Sequence, residues 1–334
     1  DVAPSRGLGD VYKRQIINWV KQRYDLIVTK EVINFVPGIV PGIGMAMNCF
    51  TQKGDKVMIQ PPVYHPFAWV TTRNERTLVI NPLRWENGMY RMDLDAFREQ
   101  IKGCKLFILC NPHNPGGVVW TEAELRAIAD ICYDEKVLVF SDEIHADLTL
   151  PPHTHRPFAT VSEKARMNSV TFMSPSKAFN MPGLSASHAL IFNEDLRKRF
   201  RIYMDAGELD MGHVFAFLSV EAAYSHGTEW LDQCLAYIQG NIDFVDEFLK
   251  KHAPKIKAIR PEASYLVWLD CRELELSQKD LNEFFVDKAH LALNDGEMFG
   301  KEGIGFMRLN VASPRCIIEK AMKQLADAYQ LYIK

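Results

Sequence analysis

The sequence predicts an α/β fold: three layers, αβα, around a mainly parallel sheet, followed by a smaller α+β domain at the C-terminal end. Three features carry this. First, the runs Lys105-Leu-Phe-Ile-Leu-Cys110, Val137-Leu-Val-Phe-Ser141 and Ser169-Val-Thr-Phe-Met173 are almost continuously apolar, as expected of strands buried on both faces. Second, a helix signal lies between the first two. Thr121-Glu-Ala-Glu124 has the capping-box pattern, and Leu125, Ile128, Ala129 and Cys132 follow at helical spacing. Strand, loop and helix in that order form a βα unit, and such units build parallel sheets. Third, Leu231, Leu235, Ile238, Ile242, Val245 and Leu249 make 228–252 a long amphipathic helix joining two domains. Beyond it the pattern gives a short strand over Tyr265 to Leu269, a helix opened by Ser277-Gln-Lys-Asp280, and a last helix from about Pro314. Residues 16–227 thus form the large domain and 228–334 the linking helix and small domain. Residues 1–15 read as a non-native leader and are set aside.

Carboxyl ends of parallel strands are where α/β sheets bind ligands, so the residues after each apolar run matter most. The first run enters Asn111-Pro-His-Asn-Pro-Gly-Gly117, too rich in Pro and Gly for helix or strand and stiff enough to fix the Asn114 amide. The second ends at Asp142, in Ser141-Asp-Glu-Ile-His145, and the third leads into Ser174-Pro-Ser-Lys177. An amine and an acid aimed into one crevice suit pyridoxal 5'-phosphate (PLP). Lysine forms a Schiff base with its aldehyde, and a buried carboxylate keeps its ring nitrogen protonated.

Taken together, these residues resemble the fold-type I PLP enzymes of the aspartate aminotransferase superfamily, class I/II. More narrowly, the chain is similar to the MalY/PatB family of cystathionine β-lyases. That likeness rests on Asn111–Gly117, Ser141-Asp-Glu-Ile-His-Ala-Asp-Leu148, Pro152-His-Thr-His-Arg-Pro-Phe158, Glu221-Ala-Ala-Tyr224, Tyr265-Leu-Val-Trp-Leu-Asp-Cys271 and Ala292-Leu-Asn-Asp-Gly296, and runs from about Ile16 to the C-terminus. The resemblance implies roles. Lys177 holds the cofactor and shuttles the Cα proton, and Asp142 pairs with the ring nitrogen. Asn114 and His145 reach the phenolic oxygen, and Tyr64 stacks on the ring. Ile39 and Val40 offer backbone N–H groups to the phosphate, with Ser174 and Ser176 adding hydroxyls. Arg308 forks onto the substrate α-carboxylate, with Asn114 beside it. A homodimer acting on a small amino-acid substrate is implied as well.

Two departures from the family stand out. Many relatives carry Arg or Lys eight residues after the Schiff-base lysine, where this chain has Ser185. Family members also begin with several dozen residues that have no counterpart here, including a segment that closes the active site. The expected reaction is β-elimination of a thiol from cystathionine or a related cysteine S-conjugate. An aminotransferase uses the same Lys, Asp and Arg and is the nearest alternative; a PLP-binding regulator or an inactive fragment are others.

Composition narrows the class. The 334 residues, 47% hydrophobic and 24% charged, suffice for one large core and a smaller one. A net charge of −3 gives no electrostatic reason to expect nucleic acid or an anionic membrane as partner, and no apolar run reaches the length of a membrane span. Seven cysteines without a Cys-x-x-Cys fit the reducing cytoplasm. His145, His153 and His155 lack the Cys or carboxylate spacing that would complete a metal site, so no metal is expected, and the latter two read as loop histidines.

Overall fold

The computed structural model describes residues 4–332, with side chains from residue 11. Its large unit opens with α1 (Pro4–Tyr24), β1 (Ile33–Val36), α2 (Ile39–Phe50), β2 (Lys56–Ile59), α3 (Pro66–Arg73) and β3 (Thr77–Ile80). A small hairpin, β4 (Arg84–Glu86) with β5 (Met89–Arg91), precedes α4 (Leu94–Gln100), β6 (Cys104–Cys110), α5 (Glu122–Asp134), β7 (Leu138–Asp142), α6 (Glu163–Met167) and β8 (Ser169–Met173). Then come β9 (Ser187–Leu190), α7 (Glu194–Asp205) and α8 (Val214–His226). The linking helix α9 (Thr228–His252) leads to β10 (Lys257–Ile259), β11 (Leu266–Asp270), α10 (Gln278–Glu283), β12 (Asn294–Asp295), β13 (Phe306–Asn310) and α11 (Arg315–Tyr332).

Seven strands form one sheet in the order β1-β9-β8-β7-β6-β2-β3, in which β9 alone runs against the rest. Strand periodicity explains the three layers. Leu106 and Ile108 pack on one face with Ile43 and Met47 of α2, whereas Phe107 and Leu109 pack on the other with Leu125 and Ile128 of α5. A strand sandwiched this way needs apolar residues at every position, which is why β6 to β8 read as unbroken runs. Glycine lets α2 lie close to the sheet: a Cβ on Gly42 would sit 3.0 Å from Val36 Cγ2 and 3.2 Å from Phe172 Cε1. The C-terminal unit is a four-stranded antiparallel sheet, β10-β11-β13-β12, with α10 and α11.

Thr121 caps α5 in a complete capping box, and Ser277 caps α10 by accepting from Asp280 N. Residues 4–15, set aside in the sequence reading, form the first part of α1. Tyr12 is buried there with its ring 4.8 Å from that of Phe217, and α1 packs along α8.

Candidate active site

Register aligns the strand ends that build the site. Cys110 of β6 pairs with Asp142 of β7, and Asp142 with Phe172 of β8, so three chain reversals open at one level of the sheet. Around them lies a cavity of about 380 Å³. Its wall includes Ile39, Val40, Tyr64, Asn114, Asp142, His145, Ser176, Lys177 and Arg308, nine of the ten residues singled out from sequence.

The loop after β6 is held at both ends. Trp120 Nε1 donates to Cys110 O (2.9 Å), and Asn114 N donates to Cys110 Sγ (3.4 Å). Gly117, at φ +68°, accepts from Glu262 N and Ala263 N through its carbonyl, and a Cβ there would lie 2.5 Å from Pro261 Cβ. Only glycine fits so tight a seam at positive φ, and the seam ties the Asn114 loop to the C-terminal unit.

Asp142 is 3% exposed, and Oδ1 accepts from Ile144 N (3.0 Å). Burial pushes its pKa up to about 7; Glu143's charge adds to this, while the Ile144 N–H and Lys177 oppose it. Glu143 points elsewhere. It accepts from Ser141 Oγ (2.8 Å), Phe158 N (2.8 Å) and His155 Nε2 (2.7 Å), and its contact with His155 is fully buried. His155 is thus the loop histidine expected, but one buried against Glu143. The pair fixes the turn that delivers Asp142 and His145, and the sequence reading missed it.

After β8 the two serines divide their tasks. Ser174 Oγ lies within hydrogen-bond distance of Ala186 O (2.7 Å) and Ser176 Oγ (2.8 Å) and accepts from Ser176 N (3.1 Å), so its hydroxyl is engaged within the turn and away from the cavity, which it does not line. Ser174 thus braces Ser176, which does line it. Lys177 follows, its pKa lowered by burial and then by the Arg308 charge, with Asp142 pulling the other way. At the N-terminus of α2 the first helical bond runs from Gly42 N to Gly38 O (2.9 Å), and Pro41 has no N–H. The amides of Ile39 and Val40 remain for an anion, favoured by the helix dipole.

Tyr64 and Arg308 complete the wall. Burial and the Asp142 charge raise the Tyr64 pKa. His145 is buried with Nδ1 unpartnered, and burial, followed by the Lys177 and Arg308 charges, lowers its pKa to about 3, so the ring is neutral. Arg308 donates through Nη1 to Asn114 Oδ1 and through Nη2 to Asn294 Oδ1, both 2.8 Å, and lies 4.6 Å over the Phe299 ring. Burial lowers its pKa to about 10, which leaves it cationic at neutral pH. Tyr265 and Asn294 also line the cavity. Both sit in segments that sequence reading had picked out without giving them a role.

A family model described as aminotransferase class I and II matches residues 4–325. The chain is 38% identical over 318 residues to cystathionine beta-lyase PatB of Bacillus subtilis (strain 168), covering 95% of this chain and 82% of that protein. Among solved structures it is similar to cystalysin from Treponema denticola, which contains a pyridoxal 5'-phosphate cofactor (TM-score 0.94, 34% identity, 97% of this chain and 83% of that one). It is also similar to a PLP-bound candidate aminotransferase from Clostridium difficile 630 (TM-score 0.94, 40% identity, 96% of this chain and 83% of that one).

Proposed function

The chain belongs to the aminotransferase class I and II family, and we propose that within it the protein is a PLP-dependent carbon–sulfur β-lyase. It cleaves cystathionine or related cysteine S-conjugates to a thiol, pyruvate and ammonia. The observation that carries this reading is the meeting in one cavity of a buried acid, a lysine of lowered pKa and an arginine held by neutral amides. The 38% identity with a cystathionine β-lyase directs it toward C–S chemistry.

The residues fit PLP on their own chemistry. Asp142 is a buried carboxylate whose raised pKa a cationic ring nitrogen would relieve. His145 lines the same cavity with Nδ1 buried and unpartnered among the described residues, and the two amides of α2 lack helical acceptors. PLP, once bound, supplies a sink for the electron pair left when the substrate Cα loses its proton.

Lys177 would hold PLP through its aldehyde, and its amine is the group placed to take the substrate Cα proton. Burial and Arg308 lower its pKa, which keeps a larger share of the amine free to act as base. Asp142 would keep the ring nitrogen of PLP protonated. Asn114 and neutral His145 would hold PLP at its phenolic oxygen, and Tyr64 would hold it at its ring. Ile39 N, Val40 N and the Ser176 hydroxyl, held by Ser174, would seat the phosphate without a basic side chain at position 185. Arg308 grips the α-carboxylate beside Asn114, so that a thiolate on Cβ is free to leave.

The division near Gly227, between residues 16–227 and 228–334, belongs to the same reading. So does a homodimer, supported by Met211, Val214, Phe215 and Leu218, which expose a large apolar patch on and beside α8. All seven cysteines are free, which supports a cytoplasmic location. No described helix is long and apolar enough to cross a membrane.

A second reading, an aminotransferase, is favoured by the 40% identity to the Clostridium difficile protein. Incubating the PLP-loaded protein with cystathionine and no keto acid separates the two. A lyase releases pyruvate and homocysteine in equal, continuing amounts; a transaminase stops after one turnover until an acceptor is added, and that outcome would overturn the lyase assignment.

A further inference from the structure

We propose that Asn294 is a positioning residue for Arg308, holding the guanidinium so that it grips the substrate α-carboxylate end-on through Nη1 and Nη2. The inference rests on the amino-acid-cleaving reading above and adds the geometry of its carboxylate subsite.

Asn294 and Arg308 are register partners on β12 and β13, which places the amide beside the guanidinium. The segment carrying Asn294 is fixed from its other side. Asp295 accepts from Gln278 Nε2 and Asn282 Nδ2, both at 2.6 Å. A Cβ on Gly296 would fall 2.1 Å from Gly303 O, so that residue must be glycine for the chain to pass. Asn294 therefore presents Oδ1 from a pinned backbone.

The hydrogens of Arg308 can then be counted. Its Nε is buried with no partner among the described residues, away from the cavity surface. Each terminal nitrogen carries two N–H groups and gives one to an amide oxygen, Nη1 to Asn114 and Nη2 to Asn294. One N–H remains on each, the pair a carboxylate needs for two parallel bonds. Phe299 beneath the guanidinium holds its plane. Both flanking acceptors are neutral amides, and no Asp or Glu pairs with Arg308 among the described residues, so its charge stays available to the substrate. An acid at position 294 would cancel that charge.

Binding of L-alanine, which carries the α-carboxylate but no leaving group, and of 2-(ethylthio)ethylamine, which lacks the carboxylate, is measured on the PLP-loaded protein from its absorbance. For Asn294→Ala the expected result is roughly tenfold weaker L-alanine binding, the scale of one hydrogen bond to a charged group, with the amine unaffected. Asn294→Asp should weaken L-alanine further still and leave the amine unaffected. In turnover the loss should fall on KM for cystathionine rather than on kcat. Unchanged L-alanine affinity in Asn294→Ala, or equal loss for both ligands, would overturn the proposal. Asn294 is exposed at the cavity rim, so the variants are not core disruptions, and thermal unfolding checks this. A wild-type protein that neither binds PLP nor turns over cystathionine sinks the lyase reading and this inference with it; an active wild type with flat variants sinks only the inference.

Discussion

Replacing Asp142 with Asn should stabilise the cofactor-free protein while disabling the loaded one. The carboxyl group sits buried at the end of β7, and burial lifts its pKa from 3.8 to about 7. The folded chain therefore binds this proton more tightly than the unfolded chain does. Below about pH 4 Asp142 costs the fold nothing, and between about 4 and 7 the cost grows as the proton is lost. At about 1.36 kcal/mol per unit, a gap of about three units amounts to roughly 4 kcal/mol at pH 8, of which roughly 2.5 kcal/mol develops between pH 5 and pH 8. Asn has nearly the same shape and no charge, so it removes the dependence. Three buried histidines act in the opposite sense. His113, His145 and His188 have pKa values lowered to about 3 by burial, so their stabilising contribution is present above 6.5 and fades as pH falls toward 3. They occur in both proteins and cancel in the difference. Urea unfolding of cofactor-free wild type and Asp142→Asn across pH 5 to 8 reads that difference directly. It should widen by roughly 2.5 kcal/mol in favour of the variant as pH rises. A difference that stays level would refute the picture of a buried carboxylate awaiting a cation.

Other consequences follow from the same geometry. His155→Ala strips the donor from Glu143 Oε2 and leaves a carboxylate buried, so unfolding free energy should drop by about 3 kcal/mol; a loss under about 1 kcal/mol would show the pair to be dispensable. Arg308→Lys replaces a planar fork with a point charge and should raise KM for cystathionine by at least roughly tenfold, and an unchanged KM would contradict its role. Gly117→Ala forces a side chain into Pro261 at positive φ and should cost about 2 kcal/mol or more in urea unfolding, where a neutral result would mean the seam yields easily.

The sheet could be read from sequence wherever a strand is sandwiched between helices. β6, β7 and β8 lie within one residue of the apolar runs, and the Thr121 cap and the long helix α9 fall where spacing put them. β9 was hidden because its sequence is Ser-His-Ala-Leu, a short half-polar stretch buried between β1 and β8. α1 was missed because residues 1–15 had been set aside, although Tyr12 takes a place in the core. Site residues at strand ends could be named because such ends converge in this architecture. Glu143 with His155, and Asn294 with Arg308, could not be paired, since each pair joins residues whose meeting depends on tertiary register rather than spacing. Ser174 illustrates the reverse case: it is a plausible hydroxyl donor by position, yet its hydroxyl is engaged by Ala186 O and Ser176 Oγ.

The most direct test of the account is to reduce the PLP-loaded protein with borohydride, digest it and locate the pyridoxyl group by mass spectrometry. The pyridoxyl group should be found on Lys177 and nowhere else. Labelling of another lysine, or none, would contradict it.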